Sequence, residues 1–227
     1  MLRRMLRSEA VKYRRIFMPA LCFIAPLLPA MLALAGQYDP LTKQVDWEEA
    51  MRAASLYWFG LLLPAAGGLV AGYAAQIEAA AGDWKGMIAR GVSRRGLYAS
   101  KQLWLALCLG LSTAVLYAVL AVAAMPFPEA FGNALWIWGY IWLVQYAAAL
   151  AQLFISLWIA VAWGRAAAAG FGFISIFLML CWRSLTGVAY PGIPTAVLTF
   201  HLASLVLLCV MLFAAGAAWF HRKERTG

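Results

Sequence analysis

Charge is scarce in this chain. Asp, Glu, Lys and Arg together make up 12% of its 227 residues, against about 25% in soluble domains. With nine carboxylates and two histidines, the raw material for acid–base chemistry is thin. An enzyme working inside a bilayer keeps ionisable groups in its spans, because they are costly there and persist only for function. Here the acids lie mostly in loops or at the ends of apolar runs, which makes an intramembrane lipid enzyme the least favoured class. No Gly-x-x-x-x-Gly-Lys-Ser/Thr loop occurs, so ATP cannot be held by that route. His-Glu-x-x-His, Gly-x-Ser-x-Gly and DxD-type clusters are missing as well. The sequence therefore offers no catalytic, cofactor or metal site of its own. The four cysteines (Cys22, Cys108, Cys181 and Cys209) sit in separate apolar runs without CxxC or Cys/His spacing. That pattern suits small buried hydrophobes and not a disulfide framework or a metal site. No internal repeat is visible, and no soluble domain of useful size.

What the chain has in abundance is apolar sequence, at 65% of residues. A transmembrane helix needs about 20 predominantly apolar residues. Six runs qualify, at about 16–35, 55–76, 102–125, 134–162, 166–182 and 197–220. All are expected to be helical, because lipid-exposed backbone must satisfy its own hydrogen bonds and nothing alternates as a barrel strand does. The N-terminus has the outline of a signal peptide, ending at Ala33-Leu34-Ala35-Gly36. Its apolar stretch is longer than a signal core, however, and carries Pro19, Pro26 and Pro29, so it reads as a first transmembrane helix. The expected fold class is an all-α integral membrane protein, one transmembrane domain over 1–227. It comprises an interfacial segment at 1–15, a six-helix bundle at 16–220 and a tail at 221–227.

Fifteen of the eighteen Lys and Arg residues fall in four places: Arg3 to Arg15, Lys85 to Lys101, Arg165, and Arg222 to Arg225. Short loops rich in Lys and Arg stay cytoplasmic. Both termini and residues 77–101 are therefore expected inside, leaving Lys43, Arg52 and Arg183 outside. The first outside loop, 36–54, carries four acids against two basic residues. The net charge of +9 would suggest a nucleic-acid partner in a soluble chain. Distributed this way it is a topology signal facing anionic headgroups, and no nucleic-acid partner is expected. Trp and Tyr gather near span ends, as interfacial belts do.

On a helical wheel Arg3, Arg4, Arg7, Arg14 and Arg15 gather on one side. Leu2, Met5, Leu6, Ala10, Tyr13, Ile16 and Phe17 gather on the other, as in a helix lying in the membrane interface. Glu9 falls within the apolar face, where an unpaired carboxylate is costly. Either a basic group meets it (Arg94, Arg95 or Lys101, at the end of the mid-chain loop, are the candidates) or it snorkels toward headgroups. In that loop Asp83 can cap a short helix ended by Gly91, with Trp84, Met87 and Ile88 as its apolar stripe. Such a helix is either a docking surface for a soluble partner or a helix lying on lipid. Within the spans Gln145 and Gln152, seven residues apart, share one helix face. They line a polar cleft or bond to a neighbouring helix. Gly68-x-x-x-Gly72, with Ala65, Ala66 and Gly67 beside it, has the spacing that lets helices approach closely.

Ser8-Glu9-Ala10-Val11-Lys12 followed by a proline-bearing span resembles the start of ABC-2 type permeases. Glu78, Trp84-Lys85, Gly91-Val92-Ser93-Arg94-Arg95 and Lys101 resemble the loop between spans two and three of that family. Within it the chain looks most like the small six-span permeases of lantibiotic immunity and bacitracin export. The likeness covers the whole chain by topology, but only 8–12 and 78–101 by motif. The family often has proline before the valine, where this chain has Gly91. The resemblance implies an ABC-2 (type V exporter-like) permease without ATP-binding machinery of its own. ATP and Mg would be bound by two copies of a separate ABC ATPase subunit. A second permease chain, identical or paralogous, would complete the pathway in a bacterial cytoplasmic membrane. Residues 1–15 would be the elbow helix and 80–91 the coupling helix, with Asp83, Trp84, Lys85, Met87, Ile88 and Arg90 at the ATPase. The implied activity is export of an amphiphilic antibiotic, peptide or lipid. The alternative is a sensory or accessory membrane subunit on the same fold, serving signalling or cofactor maturation.

Overall fold

The computed structural model describes residues 9, 11–13, 18–40, 44–80, 94–125, 133–186 and 195–223. Glu9 and residues 11–13 are helical. Then follow α1 (Met18–Ile24), α2 (Leu27–Gly36), a ladder of β1 (Tyr38–Asp39) with β2 (Gln44–Val45), and α3 (Trp47–Ser55). A π-helical stretch, Leu56–Leu62, leads into α4 (Leu63–Ala80). The long helices α5 (Arg94–Ala124), α6 (Asn133–Trp163), α7 (Arg165–Thr186) and α8 (Thr195–Lys223) complete the order. Apart from two antiparallel pairs, Tyr38 with Val45 and Asp39 with Gln44, the regular structure among the described residues is helical. The chain is an all-α membrane protein.

Among the described residues three helices are long and apolar enough to cross a membrane: Trp47–Ile77, Gly96–Ala124 and Ile137–Trp163. Cys22–Gly36, Arg165–Leu178 and Ser204–Trp219 are shorter apolar helices within the described side chains. As backbone, α7 runs 22 residues and α8 29, about 33 Å and 44 Å at 1.5 Å per residue.

Proline sets the breaks. Pro26 lacks an N–H and its ring crowds the preceding turn, so the first apolar run is two short helices and not one. Pro29 falls in the first turn of α2, where amide hydrogens have no intrahelical acceptor and a proline costs little. Further on, the amide of Leu63 reaches Trp58 O, an i to i+5 bond just before Pro64. This is the local adjustment that lets a helix run on into a proline.

The stretch 36–54, expected as a loop, holds the hairpin and then α3, which is continuous with the second apolar run. Asp46 caps α3, its Oδ1 accepting from the amide of Glu49 at 3.1 Å. Arg52 on the same helix bonds Glu48 at 3.0 Å and Glu49 at 2.8 Å, so its charge is met by neighbouring carboxylates. The opposite stripe, Ala50, Met51 and Ala54, is buried, with Met51 and Ala54 in one core with Ala30 and Ala33 of α2.

Two clusters make up most of the core. At the hairpin end Trp58, Leu116, Leu120, Trp138 and Trp142 pack with α2 and α3. Two of the indoles are satisfied, Trp58 Nε1 donating to Thr113 Oγ1 at 3.1 Å and Trp142 Nε1 to Ser55 Oγ at 2.6 Å. At the other end Tyr13, Ala71, Ala74, Leu97, Tyr98, Leu157 and Ala160 pack together. Helix α4 packs most extensively on α7, with α6 lying against both. The α4–α7 crossing depends on glycine. A Cβ on Gly68 would lie 2.5 Å from Ala168 O, and one on Gly172 would lie 2.6 Å from Pro64 O. Small residues at this spacing let two backbones touch: Gly68 is met by Ala168 and Gly172, and Gly72 by Arg165.

Candidate functional site

The end of the molecule that holds Tyr13 and Tyr98 contains a buried charged cluster. Glu9 and Lys101 are each 1% exposed. Lys101 Nζ lies 3.4 Å from Glu9 Oε2 and donates to Ala74 O at 3.1 Å. It also stands 5.9 Å from the centre of the Tyr13 ring, within cation–π range. The other carboxylate oxygen, Oε1, accepts from Lys12 Nζ at 3.1 Å. Lys12 is one helical turn from Glu9 and partly exposed, while Lys101 is 92 positions away in sequence.

Three elements build this site. The N-terminal helix supplies Glu9, Lys12 and Tyr13, the last helical turns of α4 supply the Ala74 carbonyl, and the first turns of α5 supply Tyr98 and Lys101. Tyr13 stacks on Trp104 at 6.4 Å between ring centres. Tyr98, fully buried, fills the space that a Cβ on Gly216 of α8 would occupy, at 2.8 Å. The carboxylate, the ammonium and a backbone carbonyl are thus shut away from water by aromatic rings. In that setting a charge is tolerated only with its partners in place. The arrangement is a junction between helices. It fastens the N-terminal helix to both helices that flank residues 81–93.

Residues 81–93 lie outside the described residues. The expected docking stripe of Asp83, Trp84, Lys85, Met87, Ile88 and Arg90, and with it the 80–91 helix, therefore has no described geometry beyond Ala80, the last residue of α4. Arg94 and Arg95 open α5, but their side chains are outside the described set. Gln145 and Gln152 do share a face of α6. Gln152 Nε2 donates to Pro64 O at 3.3 Å, linking α6 to α4, and Gln145 Oε1 is buried without a partner among the described residues. No three His, Cys, Asp or Glu side chains converge as a metal site would require, among the described residues.

A model of the ABC-2 family transporter proteins matches residues 5–181. The chain belongs to the ABC-2 transporter family. The match includes the N-terminal helix, the Glu9–Lys101 cluster and everything through most of α7. Comparison with curated proteins and with solved structures returned no match. As an ABC-2 family membrane protein the chain is a transport component, and proteins of this family work with an ABC ATPase partner.

Sequence reasoning passed over Lys12 and Tyr13 as partners in the ABC-2 protein's buried cluster. The signal for Lys12 was its i, i+3 spacing from Glu9, a pairing distance on any helix. The Ala74 carbonyl carries no sequence signal, since every residue has one.

Proposed function

We propose that this chain is the transmembrane (permease) subunit of a bacterial ABC exporter that moves an amphiphilic antibiotic, peptide or lipid out of the cell or membrane. It sits in the cytoplasmic membrane as six spans with both termini inside. Two copies of an ABC ATPase subunit bind ATP and Mg, and a second permease chain, identical or paralogous, completes the pathway. Residues 80–91 enter a groove of the ATPase through Trp84, Met87 and Ile88. The elbow at 1–15 lies in the inner interface.

The observation that supports this most is the buried Glu9–Lys101–Ala74 junction in a chain of this family. It couples the N-terminal helix to the two helices leading into and out of residues 81–93. Movement imposed on that segment when the ATPase subunits close would be carried to α4, α5 and the elbow together. Packed helices shift between discrete arrangements and do not deform continuously, so ATPase closure favours one packing over another. Gln152, bonded to Pro64 O beside the α4–α7 crossing, is placed where such a shift would alter an interhelical bond.

The test is to isolate the tagged chain from its native membrane and identify the subunits that come with it. We expect an ABC ATPase at one copy per permease chain. In proteoliposomes its hydrolysis should rise with an amphiphilic substrate that accumulates on the far side. A complex without any ATPase would refute the reading. An ATPase whose activity responds to a ligand that is not moved would establish the sensory role instead.

A further inference from the structure

At the end of α6 the chain reverses within one residue. Gly164 has φ of 91°, a region that only glycine enters readily, and its amide still bonds Ala160 O at 3.0 Å. The reversal leaves Trp163 and Arg165 both at the surface. Arg165 is held there and is not simply solvated. Its Nη1 donates to Gln76 Oε1 at 2.7 Å, and its guanidinium stands 5.7 Å from the centre of the Tyr73 ring. A guanidinium carries five N–H donors in a planar fork. The bond to Gln76 uses one, and no carboxylate pairs with Arg165 among the described residues.

Beyond this group the surface is apolar. Helix α6 covers one side of the α4–α7 pair. On the uncovered side Leu69 and Tyr73 of α4 are exposed, as are Phe173, Ile174 and Phe177 of α7. Phe173 and Phe177 lie about 12 and 18 Å from Arg165 along the helix axis at 1.5 Å per residue, which is the depth of an acyl chain. Trp163, 68% exposed, is placed where indoles favour the interface. One fixed cation at the head of an apolar strip complements a molecule with one anionic group and long hydrocarbon tails.

We propose that Arg165, positioned by Gln76 and Tyr73, binds the anionic headgroup of a bilayer phospholipid whose acyl chains lie along the uncovered α4–α7 face. The planar fork meets a phosphate in two-pronged fashion, and a lysine could not reproduce that geometry. Placing the lipid in the inner leaflet rests on the topology proposed above, whereas its selectivity for an anionic head does not. A lipid-binding measurement without any ATPase therefore fails or succeeds separately from the transport reading.

The full chain in detergent is titrated with phosphatidylglycerol or phosphatidylcholine of matched acyl chains, and bound lipid is counted by native mass spectrometry. We expect phosphatidylglycerol to be favoured about fivefold, the size expected of one basic residue near an anionic headgroup. Arg165→Gln should bring the two lipids to parity. Arg165→Lys should keep only part of the preference. Arg52→Gln, at the other end and already paired to Glu48 and Glu49, should leave it intact. Millimolar inorganic phosphate should not displace the lipid, because the tails contribute to binding; displacement would mean a site for free anions. Equal retention of both lipids, or a preference unchanged in Arg165→Gln or fully kept in Arg165→Lys, overturns the proposal. So does efficient disulfide formation between copies at Phe173→Cys, which would put a second chain on this face.

Discussion

Removing Glu9 should harm the protein far more than removing Glu9 and Lys101 together. At 3.4 Å and an effective dielectric near 20, the attraction between the two charges is roughly 5 kcal/mol. Taking two ions out of water costs several kcal/mol each, so the intact pair contributes little net stability. Stranding one ion is different, and costs roughly 3–5 kcal/mol. In Glu9→Leu, Lys101 would keep the Ala74 carbonyl and the Tyr13 ring but lose the Glu9 carboxylate at 1% exposure. Lys101→Met would leave Glu9 with Lys12 alone, a partly exposed partner of the kind worth about 0.2–0.5 kcal/mol on a helix. The double variant replaces the pair by apolar side chains of similar reach, a change often neutral in buried pairs. Unfolding of the three variants in mixed micelles, followed by fluorescence over a detergent titration, measures the coupling. Each single variant should lose roughly 3–5 kcal/mol and the double no more than about 1. If the single losses simply add in the double, Glu9 and Lys101 do not interact in the folded protein and the junction is not a link. Glu9→Lys, which sets two cations face to face, should abolish function where Arg4→Glu, on the other side of the N-terminal helical wheel, does not.

Gly68→Ala should lower stability by about 1–3 kcal/mol, the cost of overfilling a tight contact, because its Cβ meets backbone at 2.5 Å. Gly170→Ala, with nothing within 4 Å, should be neutral or stabilising; melting temperatures in detergent decide, and equal midpoints would refute the crossing. Cysteines introduced as Thr42→Cys and Gly132→Cys should react with an impermeant reagent on intact cells while Gly91→Cys does not, as the distribution of basic residues requires; labelling at position 91 would reverse the topology. Trp84→Asp should remove an anchor worth roughly 2 kcal/mol or more and uncouple the ATPase without affecting membrane insertion. Normal substrate-stimulated hydrolysis in that variant would show that residues 80–91 do not couple.

The sequence by itself determined that the chain lives in a membrane, because apolar runs of spanning length need no knowledge of their neighbours. It located the bounds of α6 closely and those of α7 and α8 to within four residues, since Gly164 and the polar breaks beside these helices act on local backbone alone, whereas α5 begins at Arg94, eight residues before the expected span. It also marked Gly68-x-x-x-Gly72 as a place of close approach. The start of α3, within the stretch expected as a loop, carries local signals: Asp46 followed by Glu49 is a capping pattern, and Ala50, Met51 and Ala54 form a stripe behind it.

Only the tertiary structure decided what covers each face. Periodicity places Glu9 on an apolar stripe. That Lys101, 92 residues on, the Ala74 carbonyl and the Tyr13 ring surround it follows from how three helices cross. That Gly68 meets Ala168 and Gly172, that Gln152 reaches Pro64 O and that Arg165 lies over Tyr73 are facts of the same kind. Inside a bilayer one apolar helix face resembles another, and lipid solvates it as well as a protein would. Helix pairing is therefore chosen by shape and by a few polar contacts, and neither is a property of one stretch of sequence.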